Sequence, residues 1–431
     1  MNYEEVLFFL YSQLQSFQVV GKAAYKPGLQ NALALDEFCN YPHKKYKTIH
    51  IAGTNGKGSV SHMLSAVLQE AGLKTGLFTS PHLKDFRERI KVNGIMITED
   101  EVVDWFVKNK KVLEKIKPSF FEMSSTMAFD YFAKREVDIA VIETGLGGRL
   151  DSTNIITPIL SIITNIGLDH TDILGDTLGK IASEKAGIIK KSVPVVVGEM
   201  QPETISVFNE KATEINCELV FANEHYRVEK SFLTANQFRQ YNIIHQESNK
   251  IVYAGVKTQL LGQYQEKNII TVLTSIDQLR EKALEITEQN VYRGLRKTIG
   301  LTGLYGRWQV LSENPYTVCD IGHNAEGIYE LVKQIKTCKF SKLHFVIGMV
   351  QDKDVESVLK ILPTDAIYYF TKANISRAMS EIELKEHGKN NGLIGNSYSS
   401  VNEAFSDAKL NAKGEDMVFV GGSTFVVAEV L

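Results

Sequence analysis

The stretch from Thr48 to Ser59 constrains the fold more than any other part of the chain. The run Thr48-Ile49-His50-Ile51-Ala52 has strand character, ends in Gly53-Thr54-Asn55-Gly56-Lys57-Gly58-Ser59, and passes without a gap into a helical pattern that reaches residue 72. A strand that enters a tight glycine turn and then a helix must pack that helix back over its own sheet, which is the first half of a βαβ unit. The turn also leaves backbone N–H groups and the positive end of a helix dipole facing outward, a cradle for phosphate. Lys57 adds a point charge and Ser59 a hydroxyl able to serve a metal ion. The spacing is not that of a standard Walker A loop, because Gly58 separates Lys57 from Ser59 and the first glycine stands too close. A glycine-rich connection with an exposed lysine is the competing reading of the same letters.

The rest of the chain repeats the alternation. β-Branched runs at 48–52, 75–79, 138–143, 159–165 and 193–198 are separated by helical patterns at 57–72, 99–116, 121–135 and 177–190. Thr98 and Glu101 have the spacing of a capping box. Residues 217–256 read as short strands with polar turns, after which 265–282 and 289–297 return to helical spacing. Gly300-Leu301-Thr302-Gly303-Leu304-Tyr305-Gly306 carries three glycines in seven residues and no period, so an interdomain linker is expected at 299–306. Beyond it, strands at 316–319, 343–348, 366–370 and 417–421 alternate with helices near 324–338, 355–362, 380–387 and 401–413. The expected fold class is α/β: a P-loop, parallel-sheet ATPase domain over residues 1–298, then a smaller Rossmann-like α/β domain over 307–431.

Composition narrows the partners. With 431 residues and a net charge of −3, the chain has room for two or three domains and no basic footprint for nucleic acid. Cys39, Cys217, Cys319 and Cys338 are far apart and form no CxxC pair, which argues against a zinc site or a disulfide framework and for a reducing compartment. The N-terminus is acidic and leads into an amphipathic stretch at 6–17, and no run approaches the ~18 apolar residues of a membrane span. A cytoplasmic monomer without membrane or nucleic-acid partners is expected.

In open parallel sheets the ligand crevice lies beyond the carboxyl ends of the strands. Ser80, Glu143 and Asp169-His170 follow three expected strands in that position. A hydroxyl, a carboxylate and an imidazole beside a phosphate loop could complete an octahedral Mg²⁺ that keeps its waters, although imidazole is not a preferred magnesium ligand and His170 could equally be a loop residue. Glycines between Glu143 and Arg149 permit close backbone approach. Periodicity alone makes Lys185, beside Glu184, a surface residue of an i,i+4 network. In the second half, Asp320 and His323 follow a strand and open a helix, placed to face an interdomain cleft. Arg307 is either a cation that reaches the nucleotide or an ordinary linker charge.

Taken together, these segments resemble the folylpolyglutamate synthase/dihydrofolate synthase family of the Mur ligase superfamily over nearly the whole length. The resemblance rests on Ile51 to Ser59, Thr79-Ser80-Pro81-His82-Leu83 with Glu88-Arg89-Ile90 and Val92-Asn93-Gly94, Phe121-Glu122 before Thr126, residues 145–154, Asp169-His170, Glu184-Lys185-Ala186-Gly187, Gly306-Arg307-Trp308, residues 320–324, and Gly421-Gly422-Ser423. It departs at Ile321-Gly322, where Gly-Ala is common, and at Ser124-Ser125, usually more apolar. The resemblance implies that Asn55, Gly56, Lys57, Gly58 and Ser59 bind the ATP phosphates, with Asn268, Arg307 and Asp320 completing the ATP site. It implies that Ser80, Glu143 and His170 hold Mg²⁺, with two ions in all, and that Lys185 carries a CO₂-derived carbamate. The pterin side would be contacted by His82, Phe121, Glu122, Arg149, Leu150, Asp151 and Ser152. Lys57, Lys185, Asp320 and His323 would be the catalytic set.

The implied activity is an ATP-dependent amide ligase that adds L-glutamate to dihydropteroate, to folyl-glutamates, or to both. The substrate carboxylate attacks the γ-phosphate to give an acyl phosphate, which the glutamate amine displaces; protein groups position the reactants and neutralise charge. Closure about the linker is expected. A small-molecule P-loop kinase and a non-catalytic nucleotide-binding module are the rivals from other classes, from which glutamate-dependent ADP release separates the ligase; within the superfamily a peptidoglycan-precursor ligase is the nearest rival, and Thr79 to Leu83 with Glu88-Arg89-Ile90 speaks for folate.

Overall fold

Ile49, Ile51 and Ala52 are fully buried because both faces of their strand are covered, the pattern of a parallel sheet with helices on either side. This strand, β1 (Lys47–Ala52), lies inside an eight-stranded sheet with β2 (Thr75–Phe78), β3 (Ile90–Val92), β4 (Ile95–Met96), β5 (Ile139–Glu143), β6 (Leu160–Ile163), β7 (Val195–Val197) and β8 (Leu219–Phe221). The order is β4-β3-β2-β5-β1-β6-β7-β8. Six strands pair in parallel, and at one edge β3 runs antiparallel to both β2 and β4. The structure is a computed structural model and describes residues 1–14, 21, 28–351 and 353–431.

β5 and β6 flank β1, so the chain leaves β1 towards one side of the sheet and later returns on the other. That reversal opens a crevice at the carboxyl ends of β1, β5 and β6. Helices at Lys57–Glu70, Phe120–Lys134, Leu178–Ala186, Ile205–Ile215 and Gln265–Glu281 belong to the same unit. One apolar cluster gathers Phe78, Phe106, Phe129, Phe132 and Ile142; another gathers Ala52, Ile163, Val195, Val197 and Phe208. A separate antiparallel sheet of β9 (Tyr226–Leu233), β10 (Arg239–His245) and β11 (Lys250–Thr258) accounts for the polar-turned segment.

The second unit carries a six-stranded sheet of β12 (Gln309–Glu313), β13 (Tyr316–Cys319), β14 (Leu343–Ile347), β15 (Ile367–Thr371), β16 (Ile394–Tyr398) and β17 (Met417–Gly421), ordered β12-β13-β17-β14-β15-β16. Only β12 runs antiparallel. The α/β class expected from the alternation is therefore what forms, twice over. The first compact unit comprises Met1–Gly167, Thr171–Gln259 and Gln265–Leu304; the second comprises Leu168–His170, Leu260–Tyr264 and Tyr305–Leu431.

Several elements escape a reading by period. β3, β4, β12 and β16 are short or polar strands at or near sheet edges, where there is no buried face on both sides to imprint a pattern. Thr424–Val430 is rich in β-branched residues yet helical, because Ser423 caps it by accepting from the Phe425 N–H at 3.2 Å and its inward face is buried. Within the aperiodic stretch before residue 306, Thr298–Thr302 forms a short helix that stops at Gly303, whose φ of +65° suits glycine. The amphipathic pattern at 6–17 is a helix at Tyr3–Gln13 with a capping box from Asn2 and Glu5; residues 15–17 lie outside the described part. Among the described residues no helix is long and apolar enough to cross a membrane, and all four cysteines are free thiols.

The Thr98 capping box is present as the spacing requires. Thr98 Oγ1 accepts from the Glu101 N–H at 3.2 Å, and Glu101 Oε2 accepts from the Thr98 N–H at 3.0 Å. Thr98→Ala should destabilise the first unit by about 1 kcal/mol, read as a lower urea midpoint with unchanged turnover.

Candidate active site

The loop after β1 is shaped by two glycines. Gly53 (φ +151°) and Gly56 (φ +86°) adopt backbone angles that side chains resist. A Cβ on Gly53 would stand 1.9 Å from Thr164 Oγ1, and one on Gly56 would stand 2.3 Å from Asn268 Oδ1. The end of β6 straps the loop in place. Asn165 accepts from Thr54 N–H through its carbonyl (2.9 Å) and from Asn55 N–H through Oδ1 (2.8 Å), while Thr164 Oγ1 donates to the Asn55 carbonyl at 2.6 Å. Gly56 then caps the helix Lys57–Glu70, which starts with Lys57, Gly58 and Ser59 in its first turn. Ser59 is buried, and its hydroxyl accepts from Gln265 Nε2 at 3.1 Å; Asn268 Nδ2 donates to Gln265 Oε1 at 2.8 Å. Asn268 thus lies against the glycine loop. Gln265, which holds Ser59, gives no sequence signal beyond its place at the head of a helix.

Two ammonium groups meet at one oxygen of this loop. Lys57 Nζ donates to the Gly53 carbonyl at 3.0 Å and to that of Thr54 at 3.2 Å, and Lys185 Nζ donates to the same Gly53 carbonyl at 2.8 Å. Lys185 is only 3% exposed, which corrects the surface position that periodicity assigns it. The reason is a close contact that a helical period cannot register. A Cβ on Gly148 would stand 2.9 Å from the Glu184 and Lys185 carbonyls, and one on Gly187 would stand 2.4 Å from Arg149 Cα. The glycine loop after β5 therefore packs directly on the turn that carries Lys185. Arg149 N–H donates to the Glu184 carbonyl at 2.7 Å, its Nη2 to Glu184 Oε1 at 2.8 Å, and Asn154 Nδ2 bridges the Arg149 and Gly187 carbonyls at 3.0 Å each.

Glu143, at the end of β5, is 3% exposed and accepts from the Ser80 N–H at 3.1 Å, which joins two of the three expected metal residues. His170 belongs to the second unit, in a left-handed conformation (φ +51°). His82, beside Ser80, is fixed on both sides: Arg89 Nε donates to its Nδ1 at 2.8 Å, so Nε2 keeps the proton and faces the Tyr11 hydroxyl at 3.3 Å. Burial, with the Arg89 guanidinium beside it, holds His82 well below the usual histidine range.

Some residues expected on the pterin side also have structural duties. Both oxygens of Asp151 are taken, Oδ2 by the Gly145 and Leu146 N–H groups at 2.8 Å each and Oδ1 by the Thr153 N–H at 3.0 Å and hydroxyl at 2.5 Å. Burial pushes this carboxyl up against the pull of those four bonds. Glu122 closes a capping box, accepting from the Ser119 N–H at 2.6 Å, and also accepts from Asn31 Nδ2 at 3.3 Å. Phe121 covers Gly145, where an added Cβ would stand 2.5 Å from the ring. Ser152 and Ser125 share a hydrogen bond at 3.0 Å, which gives the polar Ser124-Ser125 stretch a local partner. Leu150 is half-buried beside Arg149.

In the second unit Asp320 directly follows β13 and is buried. It accepts from the Tyr264 hydroxyl at 2.6 Å, the Trp308 N–H at 2.7 Å and the Gly322 N–H at 2.8 Å. Burial pushes its carboxyl up, opposed by the Arg307 charge and these three donors. His323 donates from Nδ1 to the Ile321 carbonyl at 3.0 Å, leaving Nε2 3.5 Å from Asp169 Oδ2. The departure at Ile321-Gly322 has a packing reason: Ile321 rests on an apolar cluster, while a Cβ at Gly322 would stand 2.6 Å from Leu331 Cδ1.

The chain matches two family models in succession, the Mur ligase middle domain over residues 51–276 and the Mur ligase glutamate ligase domain over 306–424. It is 32% identical over 423 residues to the dihydrofolate synthase/folylpolyglutamate synthase of Bacillus subtilis, covering 95% of each chain. Among solved structures it superposes on E. coli FolC in complex with DHPP and ADP with a TM-score of 0.87 at 28% identity, covering 100% of this chain and 97% of that one. A bifunctional folylpolyglutamate synthase/dihydrofolate synthase with Mn, AMPPNP and L-glutamate bound gives 0.84 at 28% identity, covering 100% and 97%. The chain is a Mur ligase, and it belongs to the dihydrofolate synthase/folylpolyglutamate synthase family of glutamate ligases.

Gly56→Ala would meet both a strained φ and the Asn268 side chain. Nucleotide affinity, measured by calorimetry, should fall about tenfold or more, and the thermal unfolding midpoint should fall with it, reflecting the roughly 1–3 kcal/mol such strain costs.

Proposed function

We propose that this protein couples ATP cleavage to the addition of L-glutamate to dihydropteroate, to tetrahydrofolyl-glutamates, or to both, in the cytoplasm and as a monomer. Full-length agreement with FolC, including the strand–glycine loop–helix at 48–70, is the observation that carries this reading. In it, Asn55 to Ser59 bind the phosphates, with Gln265 orienting Ser59 and Asn268 shaping the loop. The donor set fits magnesium: a buried carboxylate from Glu143 and hydroxyls from Ser59 and Ser80 are hard oxygen ligands that suit a cation also held by phosphate. When bound, the metal offsets the charge of the polyphosphate. His170 is the remaining candidate and the least suited by its chemistry.

The chemistry left to the protein is placement. Lys57 reaches the transferring phosphate from the loop. The attacking carboxylate of the pterin substrate is positioned by the 80–94 segment and by the 145–152 loop, whose shape Asp151 sets. Asp320 and Arg307 serve the nucleotide, and His323 orients glutamate or the acyl phosphate. Carbamylation of Lys185 is supported by its surroundings: two ammonium groups on one carbonyl repel, and conversion of one to a carbamate turns that repulsion into attraction to Lys57.

ADP release should require glutamate together with dihydropteroate or tetrahydrofolate. Release that ignores glutamate would favour a kinase and reject the ligase reading. Glu143→Ala and Lys57→Ala should each lower kcat by about 100-fold or more with the fold retained by circular dichroism. Lys185→Ala should be inactive and recover in part with formate or acetate; full activity without them would remove the carbamate.

A further inference from the structure

Asp169, in the short segment Leu168–His170, is the centre of a half-buried cluster in the second unit. Lys353 Nζ donates to its Oδ1 at 2.5 Å, and the His170 N–H donates to the same oxygen at 2.8 Å. On the other oxygen, Asn324 Nδ2 donates at 3.3 Å and His323 Nε2 stands 3.5 Å away. The two side chains of the ion pair are 11% and 10% exposed. One carboxylate therefore touches the backbone of His170 and the ring of His323, two residues with proposed roles, while Lys353 supplies its shortest contact.

Lys353 projects from the turn after β14, and that turn is anchored. The Gln351 N–H donates to the Arg377 carbonyl at 3.1 Å, the Met379 N–H to the Met349 carbonyl at 2.9 Å, and the Lys353 N–H to the Val350 carbonyl at 3.3 Å. A buried carboxylate seeks the strongest donor within reach. With Lys353 present, that donor is a fixed ammonium, and His323 Nε2 keeps the longer ion pair with Asp169 at 3.5 Å. Without it, Asp169 would be drawn onto His323, and the imidazole would turn from its present direction.

We propose that Lys353 is a positioning residue of the ligation: by holding Asp169 it sets the direction in which the paired His323 imidazole is presented to the second half of the reaction. This rests on the ligase reading. The effect passes through His323, the residue proposed to orient glutamate or the acyl phosphate, so it should fall on glutamate more than on ATP.

The test is steady-state kinetics of Lys353→Met, Lys353→Arg, His323→Ala and the Met/Ala double variant. Lys353→Met should raise KM for glutamate or lower kcat by about tenfold or more, with KM for ATP within about twofold of wild type. Lys353→Arg should recover most of the loss, and Lys353→Met should add nothing to His323→Ala, because both act through one ring. Wild-type kinetics in Lys353→Met, an equal loss in KM for ATP, or losses that multiply with His323→Ala would each overturn the proposal. If Lys353→Met does not fold, the Arg variant and Lys353→Gln carry the same comparison. A wild-type enzyme that releases no ADP on glutamate addition refutes the ligase reading itself, whereas an active wild type with a normal Lys353→Met refutes only this role.

Discussion

The Gly53 carbonyl is the point on which the first unit turns. It closes β1, accepts from both Lys57 and Lys185, and belongs to a residue whose Cα has no room for a side chain against Thr164. Each of these requirements recruits a different part of the chain. The strap from β6 fixes the loop, the turn at 184–187 delivers Lys185, and the glycines at 145–148 let that turn approach. A change at any of them would move an ammonium group relative to the glycine loop, so the tolerance of the loop is set by residues far away in the sequence.

What was legible in the letters follows from this. The strand–turn–helix at 48–70 announces itself because glycine and period speak locally. Lys185 does not: its helix has an ordinary period, and what buries it is the backbone of Gly148, which a helix pattern cannot contain. Glu122 and Asp151 illustrate the converse. Their positions mark an important segment, yet part of what they do is hold a helix start and a loop, as their hydrogen bonds reveal.

The second unit is less readable still. Asp320 and His323 stand out by following a strand, but Lys353 lies in a turn without period or motif, and its partner Asp169 comes from 184 residues earlier. Edge strands such as β12 and β16 leave the same silence, since burial on both faces is what writes a pattern into a strand. The α/β class was readable from alternation; the side-chain clusters that tie distant segments were not, because they depend on tertiary neighbours.

The membership of Leu168–His170 and Leu260–Tyr264 in the second unit has a consequence for how the protein is made. On a ribosome these residues emerge long before Tyr305–Leu431, so Asp169 and Tyr264 wait without Lys353 and Asp320 until the last third of the chain appears. The first sheet can assemble during synthesis, but the second unit cannot be completed by its own contiguous sequence. Cutting the chain once near residue 304 would not yield two whole bodies: residues 305–431 would lack the partners of Lys353, Asp320 and Gln334. Two units that divide cleanly by contact are, in the order of their making, a single object.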